Sequence, residues 1–500
     1  MAESLKKKTI KGTIWSSIER FSVQGVQFIV MIFMARILTP ADYGLVGMIS
    51  IFIAVSQSLV DSGFSNALIR KQNRTEIDSS TVFYFNIVIG IVLYCILFFC
   101  APLIAKFYNQ PLLIPLTRLV AISIPINSFV VVQRAHLSIK VDFKTQSKAS
   151  LSAAICSATV GLSMAYTDYG VWSIVGYQLT NVTVNVGLLW FFAKWKPTWQ
   201  YSWQSFKEMF TFGSKIAGTG IMYTIYNNIY LLVIGKLFNA SDLGYYTRAY
   251  HFAQFPSSNV TGIIQRVSYP VFCSIQDDNV RLANVYRKYL RLVCFIVFPM
   301  MVGFAVLSKP FILFVLNEKW LFSSSLLFIL CFALMWSPIH ATNLSLLLVK
   351  GRSDLYMKLE FIKEGIGLII MAVSAIWGIE SMCIGLILMN IIALFINTHF
   401  TGKMINVGFI TQMKDLLPAL IFSGAMGTAV WGISLTVAHN VIKLLCGISL
   451  GIFVYFGLAK IFDSKELREI ESMIPKDIKN KLSCFFKRKS AKPNEKTSYN

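Results

Sequence analysis

The sequence lacks the short motifs that many membrane-associated enzymes use. No GxxxxGK[ST] phosphate loop, HExxH pair or DxD-type metal motif occurs in its 500 residues, so no machinery for ATP hydrolysis or metal-dependent glycosyl transfer is visible. The nine cysteines include no CxxC pair and lie mostly in apolar runs, which argues against a disulfide framework and a zinc site. We therefore expect no catalytic residue, no metal and no cofactor.

Charged residues are also scarce, at 14% of the chain against 55% hydrophobic residues. Apolar stretches recur too often and run too long for a water-soluble core, so we predict an all-α polytopic membrane protein. The Lys-rich start, Met1 to Lys11, precedes a long apolar run without a small-residue cleavage site. The first helix is therefore expected to remain as an anchor.

About fourteen transmembrane helices are expected, and the loops between them are too short to hold a soluble catalytic domain. Several candidate spans exceed the roughly 20 residues that a bilayer requires, which allows tilt. Their ranges are about 12–37, 43–67, 80–105, 112–137, 145–167, 169–193, 210–238, 242–274, 287–308, 322–348, 355–376, 379–400, 413–437 and 440–462.

The net charge of +22 is distributed unevenly among the loops. Lys and Arg cluster after even-numbered spans, as at Arg70, Lys71 and Arg74, and are scattered after odd-numbered ones. The positive-inside rule then places the N-terminus, the even loops and the basic tail in the cytoplasm. Such cations face anionic lipid head groups, and a chain embedded this deeply is not expected to bind nucleic acid.

A nine-residue phrase occurs twice, 200 residues apart. Arg36-Ile-Leu-Thr-Pro-Ala-Asp42-Tyr-Gly44 corresponds to Lys236-Leu-Phe-Asn-Ala-Ser-Asp242-Leu-Gly244, and Pro102–Asn109 aligns with Pro310–Asn317. Each phrase predicts a helix that ends near a cation and a next helix that Asp42 or Asp242 helps to start. The duplication predicts two parallel six-helix lobes related by a pseudo-twofold axis along the membrane normal. The predicted domains are residues 1–200 and 201–402 for the lobes, 403–462 for two additional helices and 463–500 for a basic cytoplasmic tail.

Polar residues recur on one face of the first two spans of each half. An ionised side chain at mid-membrane costs roughly 2.5–3.5 kcal/mol, so such residues face water, a partner or a cavity. We predict a hydrated central cavity whose cations suit an anionic cargo, because Arg binds phosphate in a bidentate manner. The predicted cavity residues are Arg20, Gln24, Arg134, Lys215, Arg248, Arg266 and Lys363.

Other interpretations of these residues remain open. Arg20 follows Glu19 and can pair with a neighbouring helix, and Lys215 can extend to the lipid head groups. Lys363 lies at helical spacing from Glu360 and Glu364, which is also typical of an internal ion-pair cluster. Asp61 is a candidate ion-coupling site or a structural carboxylate.

The Lys-rich start, Trp15-Ser-Ser, the phrase Ala35–Gly44 and the 6+6+2 layout resemble Wzx-type polysaccharide flippases. These belong to the multidrug/oligosaccharidyl-lipid/polysaccharide exporter superfamily, and the likeness is to the lipopolysaccharide and colanic-acid exporter branch. The resemblance implies alternating-access transport of undecaprenyl-diphosphate-linked oligosaccharides across the bacterial inner membrane. It also implies contact with membrane lipids, coupling to protons or sodium, and cooperation with a polysaccharide polymerase and glycosyltransferases.

Two other functions fit the sequence less well than a flippase does. A drug/cation antiporter of the same superfamily usually requires acidic cavity residues, whereas cations dominate here. A membrane enzyme such as an O-antigen polymerase or ligase would normally need a large periplasmic loop, and the loops here are short.

Overall fold

The computed structural model describes residues 22–61 and 63–473, which form helices joined by loops and contain no strand. Residues 1–21, 62 and 474–500 lie outside the described part, and so do the side chains of Asp61 and Lys215. The predictions for Arg20, Asp61 and Lys215 therefore fall on groups that the structure does not describe.

The first half of the sequence forms nine helices within the described ranges. They are α1 (Ser22–Ile37), α2 (Pro40–Asp61), α3 (Phe64–Arg70), α4 (Glu76–Tyr108), α5 (Leu113–Ala121), α6 (Ser123–Ser128), α7 (Val131–Ile139), α8 (Phe143–Tyr166) and α9 (Val171–Ala193).

The second half begins with two helices of 35 residues each. Its helices are α10 (Trp203–Leu237), α11 (Ala240–Ser274), α12 (Asn279–Val306), α13 (Ser308–Val315), α14 (Phe322–Leu334), α15 (Ser337–Val349), α16 (Ser353–Ser374), α17 (Ile379–Ile405), α18 (Phe409–Thr436), α19 (Asn440–Ile461) and α20 (Lys465–Met473).

Every predicted span contains one or more of these helices, and the all-α polytopic fold is confirmed. Within residues 22–61 and 63–473, eight helical stretches are both long and apolar enough to cross a membrane. A ninth is counted if α5–α6 and α7, which are bent by 40°, form one span. The long helices α9, α10, α11 and α16 fall short of that apolarity, and three of them, α10, α11 and α16, carry predicted cavity residues.

Helix starts follow from local capping residues. Thr75 and Asp78 form a reciprocal capping box at the start of α4, in which the Asp78 carboxylate accepts from Thr75 N at 2.8 Å. Lys71, in the loop before α4, pairs with Asp78 at 3.2 Å and with Glu208 at 3.0 Å. Partial burial would lower the pKa of Lys71, but the hydrogen bonds to Glu208 and Asp78 together raise it above its ordinary value.

The helices form two compact units that each combine segments distant in sequence. Unit 1 holds residues 1–252, 312–327 and 366–385. Its core includes the packing of α2 against α10 and of α8 against α9. Unit 2 holds residues 253–311, 328–365 and 386–500. These bounds differ from the predicted lobes, whose division remains a prediction from the repeat.

Inside unit 2, α18 and α19 are attached to α12. The Arg287 guanidinium donates two hydrogen bonds to the Asp415 carboxylate, at 2.7 and 2.8 Å. Arg291 contacts Asp415 at 3.4 Å and Glu466 at 3.2 Å, which ties α20 to the same helix. A bidentate Arg–carboxylate pair fixes both partners geometrically. Helices α18 and α20 are thus held to α12 by ion pairs, whereas α19 is held by packing against α12 and α18.

A buried amide pair joins α15 to α18 in unit 2. Asn343 Nδ2 donates to Gln412 Oε1, and Gln412 Nε2 donates to Asn343 Oδ1, both at 3.1 Å. Thr401 of α17 donates to the same Asn343 oxygen at 2.6 Å. Asn343, Thr401 and Gln412 are each at most 1% exposed. Loss of one member would leave buried polar atoms without partners.

We predict that Gln412→Ala lowers the free energy of unfolding by about 1–3 kcal/mol, because it leaves the amide of Asn343 partly unsatisfied. The measurement is thermal unfolding of the purified protein in detergent. Gln276→Ala, at an exposed position, is the matched control and should melt like the wild type. Equal melting temperatures for both variants would contradict the structural role of the amide pair.

Candidate functional site

The first copy of the repeated phrase forms the turn between α1 and α2 in unit 1. Thr39 N and Thr39 Oγ1 both donate to the Asp42 carboxylate, at 2.9 and 2.7 Å, and Asp42 N lies 3.3 Å from Thr39 Oγ1. Pro40 is the first residue of α2, a position that has no need of a backbone N–H donor. The prediction that Asp42 helps to start the second helix is confirmed.

The second copy forms the turn between α10 and α11, also in unit 1. Here Asn239 accepts from Asp242 N at 2.9 Å, so its side-chain oxygen caps the helix as Thr39 does in the first turn. Asp242 lies in the first turn of α11, where its negative charge favours the positive end of the helix dipole.

The two turns cross at their glycines. A Cβ atom added to Gly44 would lie 1.6 Å from the carbonyl oxygen of Ala240, and one added to Gly244 would lie 1.9 Å from that of Pro40. No side chain fits at such distances unless the backbone moves. The repeated glycines therefore allow the starts of α2 and α11 to touch each other. The contact is reciprocal, because each glycine meets the backbone at the start of the other helix.

The repeated cations bind carbonyl groups at the ends of helices from the other half. Arg36 donates to Val315 O at 2.8 Å and to Phe314 O at the end of α13. Lys236 donates to Phe107 O near the end of α4. Phe107 and Val315 occupy equivalent positions in the aligned segments 102–109 and 310–317. Helix-terminal carbonyls lack partners within their own helix and carry partial negative charge, so a cation satisfies them well.

The end of α1 receives three further hydrogen bonds from the segment that follows α13. Trp320 Nε1 donates to Ala35 O at 2.8 Å, and the Trp320 side chain is fully buried. Asn317 Nδ2 donates to Arg36 O at 3.2 Å, and Lys319 Nζ donates to Ile37 O at 2.9 Å. We call residues 35–44, 236–244, 107 and 314–320 the repeat junction.

Arg248 is the predicted cavity residue that lies against the repeat junction. It follows Gly244 by about one turn of α11, and its guanidinium carbon lies 4.2 Å from the centre of the Tyr43 ring. Its Nε is buried and has no hydrogen-bond partner. The Tyr43 ring also packs edge-on against Trp320, at 5.6 Å between centroids. Cation–π attraction compensates part of the cost of burying this charge, but the donor itself remains available.

The other predicted residues lie on several helices. Gln24 lies on α1 with a buried, unpaired Oε1, and Arg134 of α7 donates to Asn185 of α9 at 3.1 Å. Arg266 is exposed on the unit 2 part of α11. Lys363 is 7% exposed in unit 2 and pairs with Glu360. The alternative interpretation of Lys363 as part of an ion-pair cluster is therefore confirmed, and its role toward a cargo remains a prediction.

Sequence reasoning missed Tyr43, Trp320 and Lys319 as members of the site. The aligned segments 102–109 and 310–317 pointed toward this region, but they end just before Lys319. A fully buried tryptophan three residues after Asn317, whose φ is 110°, marks a packed turn rather than a lipid-interface anchor. The order of residues alone does not show which carbonyl its indole nitrogen reaches.

Comparison with known proteins assigns a family. Residues 33–325, which contain the whole repeat junction, match the family described as "Polysaccharide biosynthesis protein". The chain belongs to this family. One similar protein is TuaB, a teichuronic acid biosynthesis protein of Bacillus subtilis (strain 168). It is 26% identical in sequence, over 87% of this chain and 91% of the TuaB chain.

Another relative of this polysaccharide biosynthesis protein is WzxC, a lipopolysaccharide biosynthesis protein of Escherichia coli (strain K12). It is 29% identical over 72% of this chain and 74% of its own. Among solved structures, the lipid II flippase MurJ in an inward closed conformation superposes with a TM-score of 0.75 at 16% sequence identity. The match covers 90% of this chain and 98% of MurJ. The likeness shows a shared fold.

We predict that Gly44→Ala destabilises this polysaccharide biosynthesis protein by about 1–3 kcal/mol, because its methyl group forces the turns of the junction apart. Gly25→Ala in α1 is the matched control, since a Cβ there meets nothing within 4 Å. It should stabilise the helix by up to about 1 kcal/mol. Thermal unfolding in detergent measures both, and unfolding of Gly44→Ala at or above the wild-type temperature would disprove the close contact.

Proposed function

We propose that the protein is a flippase that moves lipid-linked oligosaccharide units across the bacterial inner membrane for polysaccharide biosynthesis. The observation that carries the proposal is the family match over residues 33–325, together with the symmetric junction that those residues build. A duplicated bundle with a crossing point at one end is an architecture that can open and close by alternating access. The flippase fold of MurJ supports the same function.

The proposed cargo follows from the names of the relatives and from the chemistry of the predicted cavity cations. The relatives are named for the biosynthesis of teichuronic acid and of lipopolysaccharide. A diphosphate head group requires cations with free donors, and Arg248 offers a buried Nε without a partner. Arg is well suited to bidentate contact with phosphate oxygens. Arg20 and Lys215 are further proposed cargo cations, with undecaprenyl diphosphate as the lipid carrier.

The proposed orientation places both termini in the cytoplasm. The cations after even-numbered spans support it, because short cytoplasmic loops carry the excess of Lys and Arg. The turns of the repeat junction follow spans one and seven, so they lie toward the periplasmic face. Arg36 and Lys236 are retained there because helix-terminal carbonyls bind them.

Opening of the junction would be the step that releases cargo to the periplasmic side. Each charge-assisted hydrogen bond of Arg36, Lys236 and Lys319 is worth roughly 1.5–3 kcal/mol. When the junction opens, water takes the place of the carbonyl groups as the hydrogen-bond partner of each cation. The net free-energy cost of breaking one such bond is therefore smaller than this value. The proposal includes coupling of transport to a proton or sodium gradient. It also includes contact of the protein with a polysaccharide polymerase and glycosyltransferases.

The competing functions receive less support. A membrane polymerase or ligase has no counterpart among the family and relatives reported above, and the protein is a transporter rather than an enzyme. An antiporter for cationic drugs would need unpaired carboxylates in its cavity. The predicted cavity residues are six cations and one glutamine, which favours an anionic cargo.

We predict that the triple variant Arg20→Ala, Lys215→Ala and Arg248→Ala abolishes surface polysaccharide, because the diphosphate loses its counter-charges. The assay measures surface polymer in cells that lack the chromosomal gene, with the protein quantified in the membrane fraction. The matched control exchanges the same positions for the other cation, as Arg20→Lys, Lys215→Arg and Arg248→Lys. This control should retain part of the polymer. Normal polymer from the alanine variant would refute the cavity assignment.

A further inference from the structure

A group of ionisable side chains lies inside unit 2, away from the repeat junction. Lys363 of α16 is 7% exposed, and its Nζ pairs with Glu360 Oε1 one turn earlier. Glu364 lies one turn after Glu360 and interacts electrostatically with both Glu360 and Lys363. We call Glu360, Lys363, Glu364 and the nearby His340 the α16 cluster. A pair within one helix does not by itself explain why a second carboxylate accompanies it.

The position of Glu364 along α16 is unfavourable for a charge. The helix runs from Ser353 to Ser374, so Glu364 is eleven residues from its start and ten from its end. At 1.5 Å per residue, it lies about 15 Å from either end, near the middle of the predicted span. Intramembrane ionisable residues are costly and are typically functional.

Two buried polar atoms beside the cluster have no partner. His340 of α15 interacts electrostatically with Lys363, and its Nδ1 lies 3.2 Å from Asn397 Nδ2 of α17. His340 Nε2 is buried without a hydrogen-bond partner of normal length and angle, although the ring also interacts with Asn390 of α17. Asn397 is 3% exposed, and its Oδ1 is likewise unpaired. Unsatisfied buried groups of this kind are rare and point to a ligand or a change of state.

The charges of the cluster do not balance. Glu360 and Lys363 cancel, which leaves the carboxylate of Glu364 as one net negative charge when His340 is neutral. Two like charges one turn apart favour protonation of one of them. A proton is the smallest ligand that restores neutrality. Within the described side chains, no group of three or more His, Cys, Asp or Glu residues could hold a metal ion.

We propose that the α16 cluster is a proton-binding site, in which the carboxylate of Glu364 accepts one proton while Glu360 stays paired with Lys363. The transfer is an acid–base step: a hydronium ion gives its proton to a Glu364 oxygen and leaves as water. The partly exposed Glu364 side chain receives the proton, while the Glu360–Lys363 pair sets the charge balance. As a coupling site for transport, the assignment rests on the proposed flippase function.

The charge count makes opposite predictions for substitutions at neighbouring positions. Glu364→Gln removes the acceptor, so the proton is no longer bound. Glu360→Gln frees Lys363 to pair with Glu364, so proton binding shifts to lower pH. Lys363→Met leaves two uncompensated carboxylates, so binding shifts to higher pH. A merely structural cluster would not produce shifts of opposite sign.

The test is a pH titration of the purified protein in proteoliposomes, followed by the infrared C=O band of protonated carboxyl groups. The band component that titrates in the wild type should disappear in Glu364→Gln and move in opposite directions in the other two variants. Glu380→Gln, at an exposed carboxylate on α17, is the matched control and should leave the component unchanged. Size-exclusion chromatography identifies any variant that does not fold.

A component that survives in folded Glu364→Gln would overturn the proposal. Its removal by sodium at constant pH would also overturn it, because the site would then bind a metal cation. This titration contains no cargo, so its result does not depend on the flippase function. Surface polymer from Glu364→Gln provides the second readout: a lost titration with normal polymer would confirm the proton site and refute its coupling role.

Discussion

Backbone carbonyl groups at helix ends must find partners, and in this protein the partners come from the other half of the duplicated sequence. The last carbonyls of a helix have no intrahelical donor, and in a low-dielectric environment each unsatisfied group is costly. Arg36 and Lys236 supply the missing donors at equivalent positions, to Val315 and Phe107. Neither half satisfies its own helix ends at these points, so the junction exists only when both halves meet.

This exchange explains why the repeated phrase keeps a cation and a glycine at fixed spacing. In the first copy, Gly44 follows Arg36 by eight positions, and Gly244 follows Lys236 by the same number. The cation reaches a helix end of the other half only if the two starts of α2 and α11 approach closely, and only glycine permits that approach. The contact is held by hydrogen bonds and backbone packing rather than by a large apolar interface. Such contacts can be exchanged for water, as the proposed opening of the junction requires.

Much of this fold follows from local physics that the sequence displays directly. Long apolar runs predict the helices, and Thr39 with Asp42 predicts where α2 begins, because capping acts within four residues. The partners of Arg36 and Trp320 lie about 280 residues away, and no pattern in the chain identifies which carbonyl each reaches. Lys363 illustrates the same limit of sequence-based prediction. Its helical spacing from Glu360 and Glu364 is compatible both with a cavity cation and with an ion pair. Only the structure shows that Lys363 is buried and that His340 of α15 lies near enough to interact with its charge.

Charged side chains are therefore stabilised in two physically different ways in this protein. At the junction each cation is held by neutral carbonyl groups, so its charge is fixed and its hydrogen bonds are what can change. In the α16 cluster one cation faces two carboxylates, so the geometry is held by the Glu360–Lys363 pair and the net charge is what can change. A mechanical closure requires contacts that break without a change in protonation. A coupling site requires a protonation change without loss of its scaffold, because otherwise each cycle would also disrupt the helix that carries it.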